Sequence, residues 1–299
     1  MTVPGSVRHI LYVACLLAAV AAIAYWFEPL SRIWRSHGGT LMFAVVCMMA
    51  SVMVQAGNFR VFLGCGPQRL RLWPLSRVWA LTSLANYLGP LQPGVALRVA
   101  YLDRLGISWA SSLLATWRQL SVSVWVSLGG CALGLLAGFP GDARLRMLAL
   151  ILAVTFVIAP FLRGLALRAL RSATKPAWLA ARRDMLTESL RGTTARGVAG
   201  VILQYAIGTV LLWVVYGAFG ASVTWAHALL MACMVYVSSL VAVLPGNLGL
   251  LDAIYVVGGK AVGLPLPEAA ALALLLRASQ LLACGGLALA GPWPGRIQD

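Results

Sequence analysis

The feature that most constrains this chain is a series of apolar runs, each long enough to cross a membrane. A hydrocarbon core of ~30 Å takes about 20 helical residues to span. Runs of that kind occupy roughly 10–27, 40–63, 108–138, 143–162, 198–219 and 268–290. Of the 299 residues, 61% are hydrophobic and only 10% charged, far outside the range of soluble domains. The expected class is an all-α polytopic membrane protein with about six spanning helices. The first run follows Arg8 in the manner of a signal peptide. It is long for one, however, and ends in Tyr25, Trp26 and Phe27, which suit an interfacial belt, so it reads as a helix.

Two further apolar segments are interrupted: 78–104 at GPLQPG (89–94), and 228–262 at PGNLG (245–249). The arms of the first, of about 11 residues each, reach ~16 Å, half the hydrocarbon thickness. A re-entrant helical hairpin is therefore expected. The first arm of the second, 227–244, is long enough to cross alone, so full crossing and re-entry both stay open there. Either way a hairpin returns the chain to the side it left. Each half then reads as span, span, hairpin, span, and three crossings is an odd number. Repeat one (1–138) and repeat two (143–290), joined by a short outer turn, are thus expected to be inverted copies. Paired Gly/Pro-interrupted segments are the sequence pointer to that plan in secondary transporters.

The formal charge of +15 could suggest nucleic acid, but its distribution follows topology. With a cytoplasmic N-terminus, 15 of the 23 Lys and Arg residues fall on the cytoplasmic side: Arg8, Arg60, Arg69, Arg71, Arg77, Arg104, Arg296 and eight in the loop 163–197. Four (Arg32, Arg35, Arg144, Arg146) fall outside. That is the positive-inside pattern, and it places both termini in the cytoplasm of a plasma membrane, the inner membrane in a bacterium. The basic loop 163–197 reads as an orientation signal, with membrane-surface binding as its alternative.

The remaining four cations sit at membrane depth: Arg98, Arg118, Lys260 and Arg277. Lys260 is expected to snorkel outward. Arg118 and Arg277 lie about 10 residues into their helices, ~15 Å deep. Arg98 and Asp252 lie about one turn past the hairpin tips. Each such charge costs about 2.5–3.5 kcal/mol at the bilayer centre, so it pairs or lines a polar cavity. Asp252 is expected to be held by Arg277 or Arg118. Three arginines against one aspartate leave a surplus of positive charge, which suits an anionic group such as a phosphate. The second arms of both hairpins add helix N-termini, with proline and glycine at the turn, as anion sites.

The stretch NYLGPLQPGVALRVAYLDRLGIS (86–108) with Arg118, followed by LPGNLGLLDAIY (244–255), Gly263 and Arg277, resembles the flippase-like family named for the transmembrane region of lysylphosphatidylglycerol synthase. The resemblance covers essentially the whole chain and implies movement of lipids or lipid-linked precursors across the membrane. With the charge argument, it nominates Asn86, Pro93, Gly94, Arg98, Arg118, Pro245, Gly246, Asn247, Gly249, Asp252 and Arg277 as substrate-binding residues. Two departures stand out. The family motif commonly has an acid just after the first glycine, where this chain has Val95, Ala96 and Leu97, and usually Glu where this chain has Asp252. The chain ends at Asp299 without the soluble aminoacyl-transferase domain of lipid-modifying members, so synthesis of lysyl lipid is not expected.

No cofactor, metal site or catalytic group is expected. The six cysteines lack CxxC spacing and the three histidines are dispersed. Gly258-Gly259-Lys260 lacks the spacing of a nucleotide-binding loop, and no loop carries paired carboxylates for a metal. The leading expectation is a translocase for an anionic lipid, phospholipid or polyprenyl-phosphate in type, with membrane lipids as partners and no nucleic acid. An integral-membrane enzyme acting on lipid phosphates, with Asp252 or Glu268 as base, is one alternative. An accessory subunit working beside lipid or glycan biosynthesis enzymes is the other.

Overall fold

The computed structural model describes residues 36–64, 70–87, 93–172, 194–238, 247 and 249–290, with the backbone alone at 163–164 and 166–172. The first apolar run, Pro245, Gly246 and most of the basic loop lie outside the described residues. Among those described, every regular element is a helix. The protein is an all-α polytopic membrane protein.

Five helices are long and apolar enough to cross a membrane: α1 (Ser36–Leu63), α4 (Trp109–Gly138), α5 (Ala143–Ser172, apolar to Leu162), α6 (Ala195–Ala218) and α9 (Leu266–Leu289). They match five of the six runs. The interrupted segments form four short helices: α2 (Leu72–Ala85), α3 (Pro93–Arg104), α7 (Trp225–Ser238) and α8 (Leu250–Ala261). The first arm of hairpin one, 14 residues, and the second arms of 12 reach ~21 Å and ~18 Å, short of a full crossing. The α2 arm begins six residues before the expected 78. The α7 helix is described as far as Ser238; residues 239–246, on which crossing or re-entry by 227–244 turns, lie outside the described residues.

The second arms end alike. Gly106 and Gly263, at φ +75° and +90°, each stand two residues past the helix. Ile107 N–H donates to Leu102 O (3.0 Å), and Leu264 N–H to Gly259 O (2.9 Å). This is a Schellman stop, which needs a residue without a Cβ at the left-handed position. In both halves the next long helix starts five residues after the short one ends.

Helix α4 is the hub, packing on α7, α5, α3 and α6, while α9 holds α2 and α8. Gly130, Gly134 and Gly138 form a stripe along α4. A Cβ on them would strike Cys233 Sγ, Leu230 Cβ (2.8 Å) and the His227 ring (3.0 Å) of α7. Small residues one turn apart are how membrane helices approach closely where no hydrophobic effect drives them together. Helix α5 is peripheral, with Phe161, Leu148, Ile151 and Val154 facing outward. One contact compensates a local defect: Pro160 lacks the N–H that would satisfy Phe156 O. The Trp125 indole of α4 donates to that oxygen at 2.9 Å while its ring stacks on Phe156 at 4.7 Å.

The buried apolar side chains form two clusters. One joins the start of α1 to α6, α8 and α9 through Leu41, Leu212, Tyr255 and Leu275. The other joins the end of α1 to α2, α4 and α6 through Phe59, Phe62, Trp79 and Tyr205. On α1 the polar Ser51 and Gln55 fall between Leu41 and Phe59.

Candidate anion site at the hairpin tips

The second hairpin is closed by its own charge. Asp252 is the third residue of α8, where a carboxylate can cap the helix. Its Oδ2 accepts the N–H of Gly249, the N-cap residue, at 3.0 Å, so the positive end of that helix is already answered. The same carboxylate takes Arg277 in two bonds, Nε to Oδ1 at 2.7 Å and Nη2 to Oδ2 at 3.2 Å. A fork-to-fork pair of this kind is the strong form of the interaction. Arg277, midway along α9, also donates from Nη2 to Asn247 O (3.0 Å) and from Nη1 to the Tyr87 hydroxyl (3.2 Å). Tyr87 in turn donates to Gln280 at 3.0 Å, and Asn247 Nδ2 to Ser238 Oγ at 3.0 Å. Because Tyr87 belongs to the first hairpin and Asn247 to the second, Arg277 ties the two tips together on α9.

The first hairpin is built differently. Asn86 Oδ1 accepts the Gly94 N–H at 2.8 Å, so this helix start meets a neutral amide, and its first turn holds no acid. A Cβ on Gly94 would overlap the Thr82 carbonyl oxygen. Only glycine lets the two arms lie this close. That approach brings Arg98, one turn further, onto the first arm. Its Nε and Nη2 donate long bonds (3.4 Å) to Thr82 Oγ1, and its guanidinium carbon stands 3.3 Å from the centroid of the Trp79 ring. Arg98 is 6% exposed, and no carboxylate pairs with it among the described residues. A π face and a hydroxyl solvate the cation without neutralising it.

Arg118 points elsewhere. Its Nη1 donates to Phe62 O (3.1 Å), in the last turn of α1, where helix carbonyls lack intrahelical partners. The order of features along the sequence equates Arg118 with Arg277, but the register does not. Counted from their helix starts, Arg118 is the tenth residue of α4 and Arg277 the twelfth of α9. Two residues turn a helix by about 200°, which swings Arg118 to α1 and Arg277 to the tips. The expected convergence of four charges in one layer is thus met in part: Asp252 and Arg277 meet with Asn247 and Gly249, Arg98 joins Asn86, Pro93 and Gly94 on hairpin one, and Arg118 binds α1.

Sequence reasoning missed several residues here. Arg77, counted with the cytoplasmic loop cations, is 4% exposed and donates to Ala288 O at 2.9 and 3.3 Å, closing the C-terminal end of α9. Trp79 and Thr82 carry Arg98, and Tyr87 joins the tips. Of these only Tyr87 left a signal, its place beside Asn86 in the tip motif. Lys260 is exposed, as expected of a snorkelling cation, and Glu268 is exposed in the first turn of α9.

No curated protein and no solved structure matches the chain. The family described as the lysylphosphatidylglycerol synthase TM region matches residues 10–288. That match runs from the first apolar run to the last turn of α9 and takes in both broken segments with Arg98, Arg118 and Arg277, so this chain belongs to the lysylphosphatidylglycerol synthase TM-region family.

Proposed function

We propose that this protein is a translocase for an anionic lipid or lipid-linked precursor, taking the phosphate at hairpin one. Its repeats lie inverted in the membrane with both termini cytoplasmic, so hairpin one opens to the cytoplasm and hairpin two to the outside. Family membership supports a membrane protein of lipid processing. The observation that carries the finer reading is Arg98, a buried cation with no acid to neutralise it among the described residues. In hydrocarbon such a charge is stable only beside a counter-ion or in a polar cavity, and a phosphate supplies the counter-ion. The adjacent start of α3 contributes dipole and N–H groups to the same anion.

Transport fits better than chemistry on the lipid. Of the two carboxylates an enzyme could use as base, Asp252 is held by Arg277 and the α8 cap, and Glu268 stands exposed in the first turn of α9. The test is lipid movement in liposomes carrying a fluorescent anionic or zwitterionic phospholipid in one leaflet. Wild-type protein should speed the anionic lipid selectively, and Arg98→Gln should slow it at least tenfold. Equal rates for both lipids, or for both proteins, would contradict the proposal.

A further inference from the structure

The ring that carries Arg98 is itself held by a chain of hydrogen bonds that leads out of hairpin one. Trp79 is 6% exposed, and its one polar atom, the indole N–H, donates to Gln55 Oε1 on α1 at 2.9 Å. Gln55 Nε2 donates to Ser51 Oγ (3.3 Å), Ser51 Oγ meets the Tyr236 hydroxyl of α7 (3.4 Å), and that hydroxyl donates to Gln204 O of α6 (3.2 Å). Phe59, one turn beyond Gln55 on α1, is tilted against Trp79 with ring centroids 5.2 Å apart. Its ring also stands 5.9 Å from the Arg98 guanidinium. One face of α1 therefore backs the anion site.

The two ends of the chain fix its direction. An indole N–H can only donate and a backbone carbonyl can only accept. Gln55 has to turn its oxygen to Trp79 and its amide N–H to Ser51; the Ser51 hydroxyl then donates to Tyr236, and Tyr236 to Gln204 O. Every donor points the same way, so each bond polarises the next. At the near end, an acceptor on the indole N–H enriches the ring and strengthens its hold on a cation over its face. At the far end Tyr236 is seated on α6, where Gly208 leaves it room: a Cβ there would lie 3.3 Å from the Tyr236 hydroxyl.

We infer that Gln55 is a positioning residue of the anion site: it sets the Trp79 ring under Arg98 and, through Ser51 and Tyr236, makes that setting depend on the first arm of hairpin two. Gln55 acts through Trp79. Without its acceptor the buried indole N–H is left unmade, a costly state, and the ring turns toward another acceptor and withdraws the seat of Arg98. Hairpin two thereby regulates the affinity of hairpin one without contributing a ligand to it. This inference rests on the reading of Arg98 as the phosphate ligand.

The experiment measures binding of phosphatidylglycerol and of phosphatidylcholine to the full chain in detergent. Gln55→Met, which keeps the volume and removes the acceptor, should weaken phosphatidylglycerol about tenfold, the worth of one supporting hydrogen bond, and leave phosphatidylcholine unchanged. Tyr236→Phe, at the far end of the chain, should cost the same lipid about threefold. In Trp79→Phe, which keeps a ring face and lacks the N–H, adding Gln55→Met should cost nothing further. Adding Tyr236→Phe to Trp79→Phe repeats that cycle with Gln55 intact, should Gln55→Met fail to fold. A residue that only holds α1 in place would weaken both lipids alike, in either background, and that result would overturn the inference. Undiminished phosphatidylglycerol binding in Gln55→Met, with Arg98→Gln losing it, would overturn the inference and leave the phosphate reading standing. Unchanged binding in Arg98→Gln, with the Gln55 effect still dependent on Trp79, would sink the phosphate reading alone.

Discussion

Hairpins one and two share a plan and differ in where their charges stand. In each, a 12-residue second arm runs to a glycine stop two residues later. At the third position of the second arm, hairpin two carries Asp252 and hairpin one carries Val95. The acid caps its own helix and neutralises Arg277, so hairpin two is a closed ionic lock. Without the acid, Arg98 in hairpin one lies on an aromatic ring with its charge intact. In the proposed reading the same backbone device gives a structural joint in one half and, in the other, a cation left for the lipid phosphate, and the residue two positions past the start of the second arm separates the two.

The largest effect should come from breaking the lock. Asp252→Asn leaves Arg277 buried without its partner and removes the α8 cap. A loss of about 2–3 kcal/mol is expected, moderated because the Asp252 side chain is 35% exposed. Neutralising both members, with Arg277→Gln added, should recover part of that loss, whereas adding Arg118→Gln should recover none. Thermal melts of the double-mutant cycle decide it, and coupling to Arg118 with none to Arg277 would overturn the assignment.

The next test converts one hairpin into the other. Val95→Asp places a carboxylate one turn before Arg98 on the same helix face. Anionic-lipid affinity should fall about tenfold while the melting temperature rises, because the mutant supplies internally the counter-ion that the lipid provides. Unchanged affinity would show that the missing acid is not what opens the site.

The joint between the two hairpins should give a smaller change. Tyr87→Phe removes a hydroxyl that bonds both Arg277 and Gln280, and about 1 kcal/mol of stability should go with it, read from the melting curve. A neutral result would mean that Arg277 holds hairpin two alone. The inversion itself is read without an energy: cysteines placed at 105–107 and at 264–266 should label from opposite sides of the membrane. Labelling from one side would refute the inverted repeat.

Much of this was legible in the chain because hydrocarbon permits few solutions. A run of 20 apolar residues has to cross and a Gly/Pro break has to turn, so six spans and two broken segments could be read from periodicity and punctuation; five of the spans are seen, and the sixth, 10–27, lies outside the described residues. What escaped was lateral. Arg77 marks a loop by its charge, and only the approach of α2 to the end of α9 reveals it as a cap; for the same reason α2 starts earlier than expected. Arg118 and Arg277 look equivalent along the sequence, yet two residues of register turn them to different neighbours. Asp252 was readable as a partner for Arg277 or Arg118, whereas its cap on α8 depends on where that helix starts and was not read. Trp79 and Thr82 beneath Arg98 left no signal, since their contact depends on how closely Gly94 lets the arms pack.

The central claim is that hairpin one holds an uncompensated cation for a lipid phosphate. Its most direct test measures two quantities on Arg98→Gln beside the wild type: affinity for an anionic against a zwitterionic phospholipid in detergent, and the melting temperature of the lipid-free protein. A ligand contact of about 1.5–3 kcal/mol should be lost. Anionic-lipid affinity should therefore fall 10- to 100-fold with the zwitterionic lipid unaffected, and the melting temperature should hold or rise as a buried charge is removed. A protein that melts lower yet binds the anionic lipid as before would make Arg98 a brace between the arms and contradict the account.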